Sequence, residues 1–300
     1  MPADVRPRRS ALFIPGDNER ALDKGRTIPA DVLILDLEDS VAPDRKDDAR
    51  DAVAAAVGSL ATGRREIVVR INGLDTPWIA RDVAAMAAAR PDAILMPKLS
   101  RTDDVRRVRA ALAAAHAPRS INLWAMIETP AAVLNASAMG AIAAMPAPAI
   151  TCYVVGTNDL AADLHATIRR GRAALLPHLA QVVVAARAHG LGVLDGTFNE
   201  LGDQEALAEE CLQGRDLGMD GKTVIHPSQV TVANAVFGPS RQDVAWSRKV
   251  IEAFAAAENA GKGVIRMEGR MVERLHERTA RQTLALADAI AAMESEIAGD

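Results

Sequence analysis

VLILDLED (residues 32–39) runs four apolar residues together and then turns acidic. An unbroken Val/Ile/Leu run of this length, closed by polar residues, is how a strand buried on both faces reads. Seven further runs share the pattern: ALFIPG (11–16), EIVVRIN (66–72), AILMPKL (93–99), INLWAMIET (121–129), ITCYVVGTNDL (150–160), LGVLDGTF (191–198) and KTVIHP (222–227). Between them lie stretches such as RKDDARDAVAAAVGSL (45–60), PWIARDVAAMAAAR (77–90) and TDDVRRVRAALAAAHA (102–117), with Ala, Val and Leu at helical spacing against Asp and Arg. Strands alternating with helices imply right-handed βαβ crossovers and a parallel sheet. Eight such runs indicate an α/β fold of the closed (β/α)₈ TIM-barrel type rather than an open doubly wound sheet.

The chain has 300 residues, and such a barrel typically needs about 250. The expected division is a barrel over 1–238 and a C-terminal helical extension over 239–300 that acts as a lid or an oligomerisation element. In that extension 240–260 and 271–296 read as amphipathic helices joined by AGKGVIRMEGR, with no further strand. Hydrophobic residues at 49% and charged residues at 25% exclude intrinsic disorder. A net charge of −4, with both signs scattered, and only 3% aromatic residues argue against a nucleic-acid partner. Cys152 and Cys211 are too few and too far apart for a disulfide framework or a zinc cluster. The start of the chain, MPADVRPRRS, has no apolar segment of the secretory kind, and no window reaches 18 uninterrupted apolar residues. A cytoplasmic enzyme that meets no membrane is the expectation.

The working residues of such a barrel sit at the C-terminal ends of its strands. There the chain places Asp36, Glu38 and Asp39, then Arg70 and Asn72, Lys98, Glu128, Asn158 and Asp159, Asp195, and finally His226. Several have plainer readings. Asp39 and Asp159 suit helix N-caps, Lys98 a solvated loop, Asp195 a turn ahead of Gly196, and His226 a hydrogen-bonded structural histidine. Glu128 and Arg70 resist them, because each follows an apolar strand and a buried charge needs a partner. Arg70 and Asn72, two residues apart, share a strand face, as do Asp36 and Glu38. Carboxylates converging on one barrel mouth without a His pair or Cys cluster favour a hard cation on oxygen ligands, with Mg²⁺ the best fit. A guanidinium beside it suits a substrate carboxylate or a developing oxyanion.

At these residues the chain resembles the citrate lyase beta-subunit and malyl-CoA lyase family, the CitE-like members of the HpcH/HpaI aldolase superfamily. The matching pieces are RSALFIPG (9–16), LDLEDSV (35–41), VRIN (69–72), MPK (96–98), MIET (126–129), GTNDLAADL (156–164) and DGKTVIHPSQ (220–229), in order from first strand to eighth. The resemblance implies a (β/α)₈ fold, Mg²⁺, and cleavage or formation of a C–C bond in a 3-hydroxyacyl-CoA such as malyl-, citramalyl- or citryl-CoA, giving an acyl-CoA and a 2-oxo acid. It implies Glu128 and Asp159 as metal ligands, with Asp36, Glu38 and Asp39 orienting their surroundings. Arg70 would stabilise charge at the reacting oxygens, and its replacement by Ala is expected to spare the fold while lowering kcat about a hundredfold or more. Asn72, Lys98 and Pro227 join Arg70 in the substrate pocket, and Arg9, Pro15 and Gly16 lie near the coenzyme A phosphates.

In the family a lid from a neighbouring subunit supplies an Asp within a Gly-basic-Met-aliphatic-Asp stretch. Here the stretch reads Gly269, Arg270, Met271, Val272, Glu273, so Glu273 stands where Asp is expected. Either Glu273 transfers the proton with a longer reach, or the reaction differs; a solvated charge in a helix first turn is the plainer alternative. The lid implies a homotrimer or hexamer. Competing readings are a class II pyruvate-type aldolase acting on free acids, a malyl-CoA thioesterase, and a non-catalytic subunit of a larger lyase complex.

Overall fold

The computed structural model describes residues 5–61, 63–143 and 149–299. Residues from Arg8 to Phe237 form one compact unit, and the chain from Gly238 onward, with the short segment before Arg8, forms a second. In the first unit eight parallel strands close in chain order: β1 (Ser10–Pro15), β2 (Val32–Asp36), β3 (Glu66–Arg70), β4 (Ala93–Met96), β5 (Asn122–Ile127), β6 (Ile150–Val155), β7 (Gly192–Asp195) and β8 (Gly221–Val224). The barrel shuts where Ser10 and Ala11 pair with Lys222 and Thr223. The crossover helices are α1 (Glu19–Lys24), α2 (Lys46–Leu60), α3 (Ile79–Ala89), α4 (Thr102–Ala114), α5 (Pro130–Ala141), α6 (Thr157–Asp163), α7 (Leu176–Ala188), α8 (Gln204–Leu217) and α9 (Pro227–Phe237).

Strand alternation divides the apolar residues into two cores. Leu33, Leu35, Ile67, Val69, Ile94 and their equivalents point outward and pack under the helices. Ala11, Val32, Ile34, Val68, Leu95, Trp124, Met126, Cys152, Val154 and Leu194 fill the barrel. Continuous apolar runs in the sequence follow from this, since both faces of each strand are buried.

The N-terminal end of the barrel is sealed by charge pairs. Arg8 binds Glu66 through Nε and Nη2 at 2.7 and 2.9 Å and stacks 4.8 Å from the Trp124 ring. Arg9 grips Asp31, with Nε and Nη2 each at 2.9 Å, and is itself buried. The chain passes Gly221 so closely that a Cβ there would lie 1.8 Å from the Arg8 carbonyl oxygen, which only glycine permits. Arg9 therefore closes the end of the barrel opposite the strand C-termini. The expectation that it meets coenzyme A phosphates is corrected: it precedes β1, and its guanidinium is committed to Asp31.

The second unit contains α10 (Arg241–Ala255) and α11 (Arg274–Gly299), and between them an antiparallel hairpin, β9 (Val264–Met267) with β10 (Arg270–Glu273). The expectation of helices alone is thus corrected. The hairpin turns at Glu268 and Gly269, whose φ values of 47° and 78° suit the turn geometry that matches strand twist. Val250, Phe254, Ile265, Val272 and Ala280 form this unit's own small core. Glu273 ends β10, and its backbone N–H donates to His276 Nδ1 at 2.9 Å, so it precedes the helix rather than occupying its first turn. No helix among the described residues is long and apolar enough to cross a membrane.

Candidate active site

Extending the inward-facing alternation by one step past the apolar layer brings Pro15, Asp36, Arg70, Glu128 and Gly156 to the C-terminal mouth. Asp36 and Arg70 are register partners across β2 and β3. Their side chains accordingly meet end to end, with Arg70 Nε and Nη2 each 2.7 Å from an Asp36 oxygen. The third nitrogen, Nη1, lies 2.9 Å from Glu38 and 3.4 Å from Asp39, and the guanidinium covers the Phe13 ring at 4.8 Å. Asp36 also accepts from the backbone N–H groups of Glu38 and Ser40 at 2.9 and 3.1 Å. Burial opposes its charge, but Arg70 outweighs burial and holds the carboxyl below the usual carboxylate range. Arg70 is thus a fixed cation that turns one nitrogen toward the mouth.

Glu38 behaves differently. Burial pushes its carboxyl up to about 7; Arg70 pulls the other way, while the charges of Asp39, Glu128 and Asp36 add to the rise. Glu128, 2% exposed, is likewise raised to about 7 by burial, with Asp159 adding to the shift and the Lys98 N–H opposing it. That N–H donates to Glu128 Oε1 at 2.7 Å, from a backbone with φ of 55°. Lys98 so serves Glu128 through its main chain. Its ammonium is half exposed and 4.0 Å from Glu38.

A cavity of about 350 Å³ occupies the mouth, lined among others by Phe13, Pro15, Arg70, Met126, Gly156 and Asp159. Gly156 was not singled out by the sequence. A Cβ at this position would lie 2.4 Å from Glu128 Cβ and 2.5 Å from its Oε2, so the glycine makes room for the carboxylate. Gly156→Ala is expected to displace Glu128 and lower turnover at least about tenfold, because small misplacements of a positioning group are costly. Steady-state kinetics checks this, with a circular dichroism melt to confirm folding.

Other expected residues lie elsewhere. Asn72 does not face the cavity: its N–H and Nδ2 both bind Asp82 of α3, at 3.0 and 2.6 Å. β3 ends at Arg70, so strand alternation no longer governs position 72. Pro227 is exposed and opens α9, a position its missing N–H suits, while Thr223 and Ile225 of the same motif line the cavity. The substrate-pocket assignment of Asn72 is corrected, and Pro227 is not among the residues that line the cavity. Gly16 packs beneath the mouth, where a Cβ would lie 2.6 Å from the Asp36 carbonyl oxygen. Asp39 and Asp159 are not N-caps, since α2 starts from Arg45 and α6 from Gly156.

Asp195 does more than serve a turn. It is buried outside the barrel wall, paired with Arg172 at 2.7 Å and Lys222 at 3.0 Å. His226 Nδ1 meets Ser228 Oγ at 2.8 Å, as a structural histidine would. Gln229, buried and also missed by the sequence, accepts from the Ile225 N–H at 2.9 Å and donates to the Phe198 carbonyl at 2.8 Å, tying together the loops after β7 and β8.

The donor set fits a divalent cation. Glu128 and Asp159 repel one another where Glu128 is buried, and a cation between them removes that cost. Among the described residues no group of three or more His, Cys, Asp or Glu is arranged for a metal. Two carboxylates with substrate and water oxygens are the usual environment of Mg²⁺. A guanidinium fixed by Asp36 and a set of carboxylates able to take a divalent cation thus stand together at the mouth of a closed barrel.

The profile of the HpcH/HpaI aldolase/citrate lyase family matches residues 9–227. The chain belongs to that family. It is 46% identical over 295 residues to a (3S)-malyl-CoA thioesterase of Cereibacter sphaeroides, covering 98% of this chain and 100% of that protein. It is 34% identical to an L-malyl-CoA/beta-methylmalyl-CoA lyase of Rhodobacter capsulatus, covering 91% and 92%. Among solved structures, CitE from Mycobacterium tuberculosis in complex with magnesium, acetoacetate and coenzyme A superposes with a TM-score of 0.75 at 30% identity, covering 95% of this chain and all of that one.

Proposed function

We propose that this chain hydrolyses the thioester of a small 3-hydroxyacyl-CoA of the malyl type, in the presence of Mg²⁺ held by Glu128 and Asp159. The observation that carries the hydrolytic reading is the placing of Glu38, 2.9 Å from Arg70 Nη1 and partly buried, where burial pushes its carboxyl up to about 7. A base matched to neutral pH activates water without help from the second unit. The (3S)-malyl-CoA thioesterase of Cereibacter sphaeroides supports the same substrate, and the Glu273 departure from the lyase lid pattern supports the same outcome.

When bound, Mg²⁺ supplies a Lewis acid that neutralises the substrate carboxylate and polarises its oxygens. Glu38 accepts a proton from water as the water oxygen attacks the thioester carbonyl carbon. Arg70, fixed by Asp36, offsets the negative charge that develops on the carbonyl oxygen. The C–S bond then breaks, Glu38 returns the proton it took from water to the departing sulfur, and the coenzyme A thiol and the free hydroxy acid leave as the two products. Phe13 and Met126 close the cavity on its apolar side.

Because Glu38 must be ionised to accept a proton, kcat/KM is expected to rise with pH through about 7 and level off above it. A pH profile recorded at saturating Mg²⁺ checks this, and Glu38→Gln is expected to abolish the rise.

C–C cleavage is the second reading, favoured by the 34% identity to the L-malyl-CoA/beta-methylmalyl-CoA lyase of Rhodobacter capsulatus. In it a carboxylic acid returns a proton to the acyl-CoA carbon, and the products are an acyl-CoA and a 2-oxo acid.

A further inference from the structure

Glu38 lies on the loop between β2 and α2, and one buried side chain holds that loop from behind. Lys46 opens α2, and its Nζ donates to the Leu37 carbonyl at 2.8 Å and to the Glu38 carbonyl at 2.7 Å. Those two carbonyls belong to the peptide groups on either side of the Glu38 Cα. The first group also gives its N–H to Asp36 Oδ1 at 2.9 Å, and the carbonyl of the second accepts from the Val41 N–H at 3.0 Å. A planar peptide leaves a residue only φ and ψ to vary. Holding both flanking groups therefore fixes the direction in which the Glu38 side chain leaves the backbone. The ammonium also lies 5.2 Å from the centre of the Trp78 ring, within cation–π range.

Lys46 is itself held in place by the helix that carries it. One turn further on, the buried Arg50 donates from Nε to Asp82 Oδ1 of α3 at 2.7 Å, and the other Asp82 oxygen takes the N–H and Nδ2 of Asn72. Residues four apart share a helix face. That face of α2 thus binds the loop after β2 through Lys46 and the loop after β3 through Arg50 and Asp82. We propose that Lys46 is a positioning residue for the reaction, clamping the two peptide groups that flank Glu38 so that its carboxylate stays 2.9 Å from Arg70 Nη1. The proposal rests on the reading of Glu38 as the base. A lysine suits the task because it brings three donors and a charge, and hydrogen bonds from a charged donor are about twice as strong as neutral ones.

The test is a double-mutant cycle on malyl-CoA turnover with Mg²⁺, using the wild type, Lys46→Met, Glu38→Gln and the double variant. Lys46→Met is expected to lower kcat by about ten- to a hundredfold, the cost of misplacing a reacting group by up to about 1 Å, with KM little changed. In the Glu38→Gln background the same substitution is expected to cost nothing further, because the group it positions is gone. An equal loss in both backgrounds, which a merely structural role would give, or a normal kcat in Lys46→Met, overturns the proposal. If Lys46→Met does not fold, Lys46→Gln takes its place with the same expected and overturning results, since its amide is uncharged and ends one bond short of the ammonium. If Glu38→Gln alone is near normal, or the wild type does not turn over malyl-CoA, the reading of Glu38 as the base fails separately. Crystal structures of the wild type and the Lys46 variant then decide the positioning without any turnover. The separation of Glu38 from Arg70 Nη1 is expected to lengthen from 2.9 Å to beyond about 3.5 Å, outside hydrogen-bond reach, and an unchanged separation overturns the proposal.

Discussion

Replacing Arg70 with lysine is expected to lower kcat on malyl-CoA by about 10²–10³-fold, the cost of one lost oxyanion contact, with little change in KM. The reason is geometric. Two of the three guanidinium nitrogens are taken by Asp36, and only Nη1 is presented toward Glu38 and the mouth. A lysine ammonium is a point charge that cannot hold Asp36 through two parallel bonds and face the substrate at once. Steady-state kinetics on folded variant checks this, and near-normal kcat would remove Arg70 from the reaction. The alanine variant is a poorer probe than the sequence suggests. It leaves Asp36, 1% exposed, without its cation, and breaking such a buried pair costs about 3–5 kcal/mol. Arg70→Ala is therefore expected to lose stability as well as turnover, which a thermal melt of the variant checks.

Glu128→Gln is expected to lower turnover about a thousandfold or more, in line with the several kcal/mol that a catalytic metal supplies. Chelation of the wild type should produce a comparable loss that added Mg²⁺ reverses. A second measurement is independent of turnover. Mg²⁺ at a hundred times its Kd should stabilise the wild type by about 2.7 kcal/mol, seen as a rise in Tm, and should leave Glu128→Gln unmoved. Glutamine keeps the shape beside Gly156 and the acceptor for the Lys98 N–H, while removing the charge. Full activity of this variant, or an equal Mg²⁺-dependent shift in both proteins, would contradict the cation site.

The barrel was legible because its strands are buried on both faces, which leaves long apolar runs, and because there are eight of them. The mouth followed from the period of two along β2, β3 and β5, which delivers Asp36, Arg70 and Glu128 to one layer. Where that period lapses, inference failed. Asn72 lies beyond the end of β3, and Arg9 lies before the start of β1, so its charge belongs to the opposite end. Gly156, Lys222 and Gln229 were missed because their roles depend on partners far away in the chain. Glu128 is 28 residues from Gly156, and Asp195 is 27 from Lys222. The β9–β10 hairpin escaped because its strands have four residues each and alternate with charges, too short to stand apart from the helices around them.

The most direct test is product analysis of purified protein incubated with (3S)-malyl-CoA and Mg²⁺. Free thiol is followed with a colorimetric disulfide reagent and glyoxylate with a hydrazine, and the acyl-CoA pool is separated by chromatography. The hydrolytic account predicts malate and coenzyme A in equal amounts, with neither glyoxylate nor acetyl-CoA. Glyoxylate and acetyl-CoA appearing together, without free thiol, would contradict it and assign the chain to C–C cleavage.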